Sequence, residues 1–374
     1  MSGVVLLCRI DGNFGGVERH ILSLAKRLEG SPYTPVIVSI ANHGELEKQA
    51  AALEIATRFL PMSSRFDVLG ASDRLRTLVS EYNAAVVHTF GIRSNSMAWL
   101  IAKKTSAAWA ARVPNLTYTD YDNRWIGQIS HRINNHFLRS ADAVQVISPQ
   151  LESYFKQLSS SIRIIELVPN GIDYGRYQIS QNKASYKLAM NLPEDAFVIG
   201  SVGRMAPIKG YDILLEAFAK AKSSLPHARL VLVGDGPELH ALKQQAKRLQ
   251  LADCVHFTGF LEDVRPALWA LDLYVCSSHS EGVPHTILEA MAAQAPVIST
   301  RVGGVESVIQ SGTSGLFFDA LDADGFANTI LELAQSPERL KDYASNAVER
   351  VRTIFSEEQM VKRVIEMYDR IVKQ

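Results

Sequence analysis

The sequence predicts an α/β fold made of two doubly wound parallel-sheet domains, and three observations support this prediction. The chain has 374 residues, 47% of them hydrophobic, which suits two globular domains with sizeable cores. Short apolar runs alternate with longer segments of helical periodicity, the pattern of buried parallel strands joined by helices. The alternation starts again near the middle of the chain, so we expect a second domain that is similar to the first.

The strands and helices are expected in a definite order. The first strand, GVVLLCRI, leads through a glycine loop into the helix HILSLAKRL, and later strands read TPVIVSI, AAVVHTF, ADAVQVIS and IRIIELVPNG, with a further strand after AAVVHTF. The second series comprises AFVIGSVGRM, ARLVLVGDG, CVHFTGF, DLYVCSS and PVISTRVGG. We place the domains at residues 1–177 and 178–354, because the junction YGRYQISQNKASYK is polar. The last helix, about Glu357 to Lys373 within residues 355–374, is expected to cross back over the first domain.

Charge and cysteine content narrow the class of protein. Lysine plus arginine equals aspartate plus glutamate, at 39 each, so the overall charge gives no indication of a nucleic-acid partner. The cysteines Cys8, Cys254 and Cys276 are scattered, which favours buried thiols in a reducing compartment. No signal peptide opens the chain, and no apolar run approaches the roughly 18 residues of a membrane span. We therefore predict a cytoplasmic protein.

The first loop that follows a strand, GNFGGVERH, places Gly15 and Gly16 at a helix start. Ligands of doubly wound sheets bind at the carboxyl ends of the strands, and backbone N–H groups at a helix start can hold an anion. The loop lacks the GxGxxG pattern of NAD-binding domains. Gly15 and Gly16 are therefore candidates for anion binding, with a plain tight turn as the alternative.

A second loop, GSVGRMAPIKGYDILLEAF, brings Gly203 together with the cations Arg204 and Lys209. Both cations follow an apolar strand, so they should lie at the carboxyl edge of a sheet. Arginine can grip a phosphate through two parallel hydrogen bonds, and lysine adds a mobile point charge. Solvated loop charges are the alternative. In the later loop FTGF, Phe260 either faces a nucleotide base or closes the core.

The stretch SEGVPHTILEAMA carries two glutamates around a helix start. Pro284 suits the first helical position, Glu281 precedes the helix, and Glu289 stands beside its apolar face, where a solvated carboxylate is not expected. An acidic residue that favours the helix dipole, with one partly exposed glutamate, would be the structural explanation. Together with Arg204 and Lys209, however, the pattern indicates a diphosphate site in which Glu289 accepts hydrogen bonds from ribose hydroxyls.

The motifs VPNGID, GRMAPIKGYDILLEAF, LVGDGPE, TGF and SEGVPHTILEAMA…PVIST occur in this order. In this order they resemble the retaining glycosyltransferases of family 4, also described as glycosyl transferases group 1, which have the GT-B fold. The resemblance covers the whole chain and is more specific in the second half. It implies two Rossmann-like domains that face a central cleft, with the C-terminal helix crossing back to the first domain. It also implies that the first domain binds the acceptor and the second the nucleotide-sugar donor.

The resemblance also assigns roles to individual residues. Arg204 and Lys209 match the pair that neutralises the donor diphosphate, and with Glu281 they are the expected catalytic residues. Glu289 matches the glutamate that holds the ribose, whereas Glu281 matches the one beside the transferred sugar. The resemblance implies neither a bound metal nor a cofactor, since two cations and a helix start take the place of the metal. The expected donor-binding residues are Gly15, Gly16, Gly203, Arg204, Lys209, Phe260, Glu281, Gly282, Val283, Pro284, Thr286 and Glu289.

The first domain departs from the family pattern at one position. Many members carry a histidine after the strand that follows VVHTF, where it is thought to contact the donor sugar. The present chain has Pro114 and Asn115 at about this place. Asn115 or Arg112 could substitute for the histidine in contacting the sugar or the acceptor. His88 is the nearest histidine, and a histidine buried in the core is the alternative for it.

These expectations lead to a predicted function. We expect retaining, metal-independent transfer of a hexose-type sugar from a nucleotide diphosphate sugar, with a UDP-sugar favoured, to a saccharide or lipid-linked acceptor. Lipopolysaccharide or exopolysaccharide synthesis would use such a reaction. Retention without an obvious nucleophile fits a same-face displacement in which the departing phosphate takes the acceptor's proton. A nucleotide-sugar epimerase of the same fold and a non-catalytic nucleotide-sugar binding protein are the alternatives.

The stretch from Met97 to Arg139 is basic and rich in tryptophan. It holds six basic and two acidic residues, together with Trp99, Trp109 and Trp125. Basic residues mixed with tryptophan suit an anionic membrane surface, and an ordinary solvated face is the alternative. We therefore expect a possible peripheral contact with the cytoplasmic face of an inner membrane.

Overall fold

The computed structural model describes residues 3–10, 15–40, 44–64, 67–120, 123–158, 162–319 and 322–372. The chain divides into two compact units. Unit 1 consists of Met1–Gly171 with Glu357–Gln374, and unit 2 consists of Ile172–Ser356. The divisions fall at residues 171 and 356, whereas the sequence analysis placed them at 177 and 354. The backbone N–H of Ile172 donates to the carbonyl of Phe355 at 2.8 Å, which ties the start of unit 2 to its end.

Unit 1 is built on a seven-stranded sheet with the strand order β3-β2-β1-β4-β5-β6-β7. Every neighbouring pair is parallel, so the carboxyl ends of all seven strands lie at one edge. The strands are β1 (Gly3–Ile10), β2 (Tyr33–Ile40), β3 (Thr57–Leu60), β4 (Ala84–Phe90), β5 (Ala108–Val113), β6 (Ala143–Val146) and β7 (Ile164–Leu167). The helices are α1 (Gly16–Leu28), α2 (Glu45–Ala52), α3 (Val68–Glu81), α4 (Ile92–Ile101), α5 (Arg124–Leu138) and α6 (Pro149–Leu158).

Unit 2 is built on a six-stranded parallel sheet with the strand order β10-β9-β8-β11-β12-β13. The strands are β8 (Phe197–Val202), β9 (Ala228–Val233), β10 (Val255–Gly259), β11 (Leu273–Cys276), β12 (Val297–Thr300) and β13 (Leu316–Phe318). The helices are α7 (Lys183–Ala189), α8 (Tyr211–Lys222), α9 (Leu239–Arg248), α10 (Arg265–Ala270), α11 (His285–Ala292), α12 (Val305–Val308), α13 (Ala323–Ala334) and α14 (Pro337–Ile354). Short 3₁₀ turns lie at Tyr174–Tyr177 and Pro207–Lys209.

The last helix, α15 (Glu357–Val372), belongs to unit 1. It packs on α1 and against β4 and β5, and Arg27 of α1 forms an ion pair with Glu357 at 2.5 Å. The hydroxyl of Tyr33 donates to Asp369 at 2.9 Å. The prediction that the C-terminal helix returns to the first domain is therefore confirmed, although its predicted end at Lys373 lies outside the described residues.

Two strands of the structure were not predicted from the sequence. β3 has four residues and β13 has three, and each lies at an edge of its sheet. β3 contains the charged, exposed Arg58, which breaks its apolar run. β13 is entirely apolar but has only three residues, too few to stand out as a separate strand. The other predicted apolar runs form strands, and the fold class of two doubly wound sheets is confirmed.

Three smaller sequence predictions can also be compared with the structure. Cys8, Cys254 and Cys276 are all buried and unpaired, as expected of structural thiols, and burial raises the pKa of Cys8 well above its ordinary value. Among the helices that the structure describes, none is both long enough and apolar enough to cross a bilayer. Pro284 precedes α11 as its N-cap residue, with an extended ψ of 123°, so the prediction of Pro284 as the first helical residue is wrong by one position.

Candidate active site

The centre of the candidate site in unit 2 is an ion pair between Lys209 and Glu281. The Nζ of Lys209 donates to the Oε1 of Glu281 at 2.6 Å, and the hydroxyl of Ser278 donates to the same oxygen at 2.6 Å. The carboxylate is largely buried, so it depends on these two donors in place of water. The structure thus brings two predicted residues into direct contact and adds Ser278, which the sequence analysis did not single out.

The loop after β11 is tied to the turn that carries Lys209. The hydroxyl of Ser277 donates to the carbonyl of Lys209 at 2.8 Å, and the N–H of His279 donates to the carbonyl of Ile208 at 2.8 Å. Thr300, at the end of β12, donates its hydroxyl hydrogen to the carbonyl of Ser278 at 2.6 Å. Three neighbouring strand ends therefore hold the Lys209–Glu281 pair in place, because β8, β11 and β12 are adjacent in the sheet.

Gly303 and Gly304, which follow β12, allow a close approach to the loop of Glu281. A Cβ atom on Gly303 would lie 1.7 Å from the carbonyl oxygen of Glu281, and one on Gly304 would lie 2.6 Å from the carbonyl oxygen of Gly282. Gly303 also has a φ of +52°, a conformation that glycine adopts at little cost. The N–H of Gly304 donates to the carbonyl of Gly282 at 2.9 Å. Only glycine fits at these two positions, because the backbone of the Glu281 loop lies too close for a Cβ atom, and this close packing positions Glu281.

Glu289 lies on α11 with its side chain partly buried. Ile287, Leu288 and Met291 of the same helix are fully buried, which confirms the predicted apolar face. The hydroxyl of Tyr177 donates to the Oε1 of Glu289 at 3.1 Å. Tyr177 comes from the 3₁₀ turn at the start of unit 2, a segment that sequence reasoning treated only as a junction. Sequence reasoning missed the contact between Tyr177 and Glu289 because no local pattern connects two residues so far apart in the chain.

Arg204 and Phe260 are the two members of the predicted set whose side chains are exposed. The neighbouring Met205 is fully buried and its N–H donates to the carbonyl of Asp235 at 2.9 Å, so the loop is anchored while Arg204 projects into solvent. Arg204 forms no ion pair or side-chain hydrogen bond with the residues that the structure describes. Phe260, directly after β10, is 76% exposed. The alternative in which Phe260 closes the core is therefore wrong.

The remaining predicted donor-binding residues surround these groups. Gly203 follows β8, and its N–H donates to the carbonyl of Val233 at 2.9 Å. Gly282 is exposed and Val283 is buried, immediately before the start of α11. Thr286 lies in the first turn of that helix and is partly buried. The carboxyl edge of the unit 2 sheet therefore assembles a cation, an ion pair, a helix start and an exposed aromatic ring.

In unit 1, the carboxylate of Glu18 already binds the backbone N–H of Gly15, one of the two glycines predicted to bind an anion. Helix α1 begins at Gly16, and the N–H of Gly15 donates to the Oε2 of Glu18 at 3.0 Å. The other carboxylate oxygen of Glu18 accepts from the Nε of Arg9 at 2.8 Å. Glu18 is almost completely buried. The N–H of Gly15 therefore already has an anionic partner, while Gly16 is exposed.

His88 and Arg112 are buried side by side at the carboxyl end of the same sheet. His88 is fully buried, and its Nδ1 lies 2.7 Å from the hydroxyl of Tyr368 on α15. Burial, followed by the positive charge of Arg112, lowers the pKa of His88 to about 3. His88 is therefore a histidine of the core, which the sequence analysis gave as the alternative, and it is not proposed as a ligand contact.

The guanidinium of Arg112 is equally enclosed. Its Nη2 donates to the Oδ1 of Asn170 at 2.6 Å. Burial, followed by the charge of Arg9, lowers the pKa of Arg112 to about 9. Asn115 is partly buried between β5 and the 3₁₀ turn at Thr117–Asp120. Of the three residues predicted to contact the sugar or the acceptor, His88 and Arg112 are buried and Asn115 is partly exposed.

Two family models together match most of the chain. Residues 15–171 match the glycosyl transferase 4-like domain, and residues 183–350 match glycosyl transferases group 1. The two matched segments lie in unit 1 and in unit 2 respectively.

Several characterised or named proteins are similar in sequence. The lipopolysaccharide core biosynthesis glycosyltransferase LpsE of Rhizobium meliloti is 33% identical over 60% of this chain and 64% of its own length. A D-inositol 3-phosphate glycosyltransferase of Catenulispora acidiphila is 34% identical over 50% of this chain and 46% of its own length. The chain thus spans less than two thirds of either relative. The N-acetyl-alpha-D-glucosaminyl L-malate synthase of Bacillus anthracis is 26% identical over 80% of this chain and 78% of its own length.

Solved structures share the fold over almost the whole chain. The structure of Anabaena HepE in complex with UDP superposes with a TM-score of 0.87 and 21% identity, covering 99% of this chain and 100% of that one. Sucrose-phosphate synthase from Thermosynechococcus elongatus superposes with a TM-score of 0.81 and 21% identity, covering 99% of both chains. At this level of identity the likeness establishes the fold.

Proposed function

The chain belongs to the group 1 glycosyltransferases of GT-B fold, and we propose that it transfers a sugar, with retention, from a nucleoside diphosphate donor to a saccharide or lipid-linked acceptor. One observation carries this proposal. Lys209, paired with Glu281, and the exposed Arg204, which has no ion-pair partner among the described residues, lie in the loops at the carboxyl edge of the unit 2 sheet, where doubly wound folds bind their ligands. Such a pair of cations suits a diphosphate.

The two ends of the donor would meet different residues. We assign the ribose hydroxyls to Glu289, whose carboxylate already accepts a hydrogen bond from Tyr177, and the base to the exposed ring of Phe260. Glu281 would face the transferred sugar together with the backbone N–H groups of Gly282 and Val283. We favour a UDP-sugar because the structure of HepE, which has the same fold, contains UDP.

The proposed reaction is a displacement on one face of the sugar. The bond between the sugar carbon and the diphosphate oxygen breaks, and its electron pair moves onto the departing phosphate. The acceptor oxygen attacks the same face, and its proton passes to a departing phosphate oxygen. Arg204 and Lys209 stabilise the charge that grows on the phosphate, an effect that is often the largest in catalysis.

Glu281 has a positioning role in this proposal and is not a nucleophile. Its Oε1 accepts hydrogen bonds from both Lys209 and Ser278, and a carboxylate held by two donors is less able to attack carbon. We further propose that no divalent metal takes part, because the two cations would compensate the diphosphate charge. Among the described residues, no group of three or more histidine, cysteine, aspartate or glutamate side chains is arranged to hold a metal.

The biological acceptor is proposed from the relatives. LpsE is named for lipopolysaccharide core biosynthesis, so we propose synthesis of a cell-surface polysaccharide, with a saccharide or lipid-linked acceptor and neither nucleic acid nor a cofactor as partner. Cytoplasmic location with peripheral membrane contact completes the proposal.

The function is tested by incubating the full chain with labelled UDP-sugars, with and without saccharide acceptors. A transferase releases UDP in step with a lengthened acceptor, an epimerase returns an isomerised sugar without acceptor, and a binding protein does neither. A thermal-shift screen of nucleotide-sugars should first identify the donor, since a ligand of the folded state raises the melting temperature. Absence of any stabilising nucleotide-sugar, or isomerisation without transfer, would contradict the proposal.

A further inference from the structure

Helix α5 of unit 1 has an amphipathic pattern opposite to the usual one. A helix on the surface of a globular protein normally buries its apolar side chains and exposes its polar ones. The buried residues of α5 are instead mainly polar, and four large apolar side chains of the helix are exposed. The buried residues are Gly127, His131, Asn134, Asn135 and Leu138.

Hydrogen bonds hold the buried face of α5 in place. The side-chain amide of Asn134 donates to the hydroxyl of Thr117 at 3.0 Å. The amide of Asn135 donates to the hydroxyl of Tyr154 at 2.9 Å, and the Nε2 of His131 lies 2.7 Å from the same hydroxyl. Buried polar groups with partners fix an orientation without apolar burial. The helix is therefore anchored through its polar side, and its apolar side is not needed for that purpose.

A close backbone contact fixes the same side of the helix. A Cβ atom on Gly127 would lie 2.8 Å from the carbonyl oxygen of Tyr118, so the 3₁₀ turn Thr117–Asp120 packs directly against α5. At the helix start, the side chain of Asn123 accepts from the N–H groups of Trp125 and Ile126 at 3.0 and 3.3 Å. The rotation of α5 about its axis is thus determined, and so is the direction in which its other face points.

That other face is an apolar stripe exposed to solvent. Trp125 is 80% exposed, Ile126 51%, Ile129 57% and Ile133 46%. At about 100° per residue these four side chains fall within a sector roughly 100° wide, almost opposite the buried residues. Leaving so much apolar surface in water is unfavourable, and a contiguous exposed patch of this kind usually marks an interaction site.

The apolar stripe is accompanied by positive charge. Arg124, Arg132 and Arg139 are exposed along or just after α5, which contains no aspartate or glutamate. Within the described part of the chain, none of these three arginines has an ion-pair partner. Lys103 and Lys104, at the end of the neighbouring helix α4, are exposed as well. The charge therefore remains available for an anionic partner.

We propose that α5 docks unit 1 onto an anionic lipid membrane surface. The helix would lie in the plane of the interface, with Trp125 and the three isoleucines at the boundary between head groups and acyl chains and with the arginines against the lipid phosphates. Tryptophan favours this depth because its ring is amphipathic. Docking through α5 rests on the peripheral membrane contact of the proposed function and gives that contact a place on the chain, and it does not depend on which donor the enzyme uses.

The composition and size of the stripe favour a membrane over other partners. A stable protein–protein interface buries about 800 Å² on each partner, which exceeds what four side chains on one short helix provide. Nucleic acid would use the arginines but would leave the three isoleucines in water. A lipid surface accepts both groups at once, and α5, about 22 Å long at 1.5 Å per residue, is long enough for interfacial binding.

The test is binding of the full chain to sedimented lipid vesicles. We expect binding to vesicles that contain one third phosphatidylglycerol, little binding to pure phosphatidylcholine, and weakening by salt. Trp125→Ser with Ile129→Ser should lower the partition coefficient about tenfold or more. Arg124→Gln with Arg132→Gln should lower it by roughly fivefold for each charge.

Matched variants in unit 2 serve as controls. Leu188→Ser removes another exposed apolar side chain, and Lys247→Gln with Arg248→Gln removes two other exposed charges; neither should change vesicle binding. Thermal unfolding of each variant establishes that it is folded, and its UDP-dependent shift separates loss of docking from loss of the proposed donor site.

Three results would overturn the proposal. The first is absence of binding of the unmodified chain to anionic vesicles at low salt. The second is equal binding by the α5 variants and the control variants. The third is a dimer, seen by light scattering, that Trp125→Ser with Ile129→Ser dissociates, which would make the stripe an interface between two copies of the chain.

Discussion

The carboxyl edges of the two sheets are built alike but differ in what they leave available to a ligand. In unit 1 the charged groups are mostly occupied from within: Glu18 binds Arg9, and Arg112 binds Asn170. In unit 2, Arg204 projects into solvent, and it has no ion-pair partner among the residues that the structure describes. The comparison shows that parallel topology provides an edge but not a binding site, because the site depends on which side chains the edge leaves free.

The largest effect is expected from removing Arg204, the exposed cation in the loop after β8. Arg204→Ala should lower kcat about a hundredfold or more, the scale on which loss of one preorganised group reduces turnover, because the proposed mechanism places Arg204 beside the charge that grows as the donor bond breaks. Steady-state kinetics with the identified UDP-sugar measure it. Arg248→Ala, which removes an exposed arginine of α9, is the matched control, and equal kcat values in the two variants would remove Arg204 from the mechanism.

The two glutamates of unit 2 should report on opposite ends of the donor. Glu289→Ala is expected to weaken UDP binding by roughly 1–3 kcal/mol, the cost of leaving the partner groups unpaired. Glu281→Gln should cut sugar transfer while leaving the affinity for UDP nearly unchanged, since UDP has no sugar at that end. Calorimetry with UDP on both variants decides between them. If Glu281→Gln loses as much affinity as Glu289→Ala, the proposed division is wrong.

At the carboxyl edge of the unit 1 sheet, we expect a change of pH to affect the free energy of unfolding through His88. The pKa of His88 is lowered to about 3, whereas histidine in an unfolded chain titrates near 6.5. Between these pH values the unfolded state binds the extra proton, so the free energy of unfolding decreases as the pH falls, by up to about 1.4 kcal/mol per pH unit. Above about pH 6.5 the histidine is neutral in both states, so the protein keeps the full stability that it loses as the pH falls.

Urea unfolding at several pH values, followed with a probe in unit 1, tests this expectation. His88→Gln should flatten the dependence between about pH 6 and pH 4, because glutamine does not titrate. His227→Gln, which replaces an exposed histidine of unit 2, is the matched control. Identical slopes in the unmodified chain and His88→Gln would show that His88 is not the group responsible.

The smallest expected effect is that of a chelator. If Arg204 and Lys209 compensate the charge of the diphosphate, EDTA should leave the initial rate of transfer nearly unchanged. The measurement is the rate before and after removal of divalent ions, with magnesium added back as a control. A stringent requirement for a divalent ion in the chemical step would show that the two cations do not suffice.

Sequence reasoning recovered the fold and the core of the candidate site because both depend on local patterns. Apolar runs identify central strands, and loops directly after strands hold Arg204, Lys209 and Glu281. The edge strand β3 was missed because Arg58 breaks its apolar run, and β13 was missed because it is only three residues long. Ser278 and Tyr177 escaped because their contacts with Glu281 and Glu289 are made by folding and not by any spacing along the chain.

The orientation of α5 shows the same limit. The sequence analysis noted basic residues and three tryptophans between Met97 and Arg139, but it could not tell which ring faces solvent. Trp109 is almost fully buried and donates its indole N–H to Thr89, whereas Trp125 is exposed. Hydrophobic periodicity would place the apolar face of α5 inward, and the polar network around Asn134 reverses it.

The contact between Lys209 and Glu281 has a consequence for anions other than the substrate. The ammonium group has a carboxylate 2.6 Å away, so an incoming anion would compete with an internal one. A single inorganic phosphate would replace that contact with little else to gain, whereas in the proposed donor site a diphosphate would also contact Arg204. If the proposed donor site is right, the ion pair should therefore favour an anion that contacts both cations over one that contacts Lys209 alone.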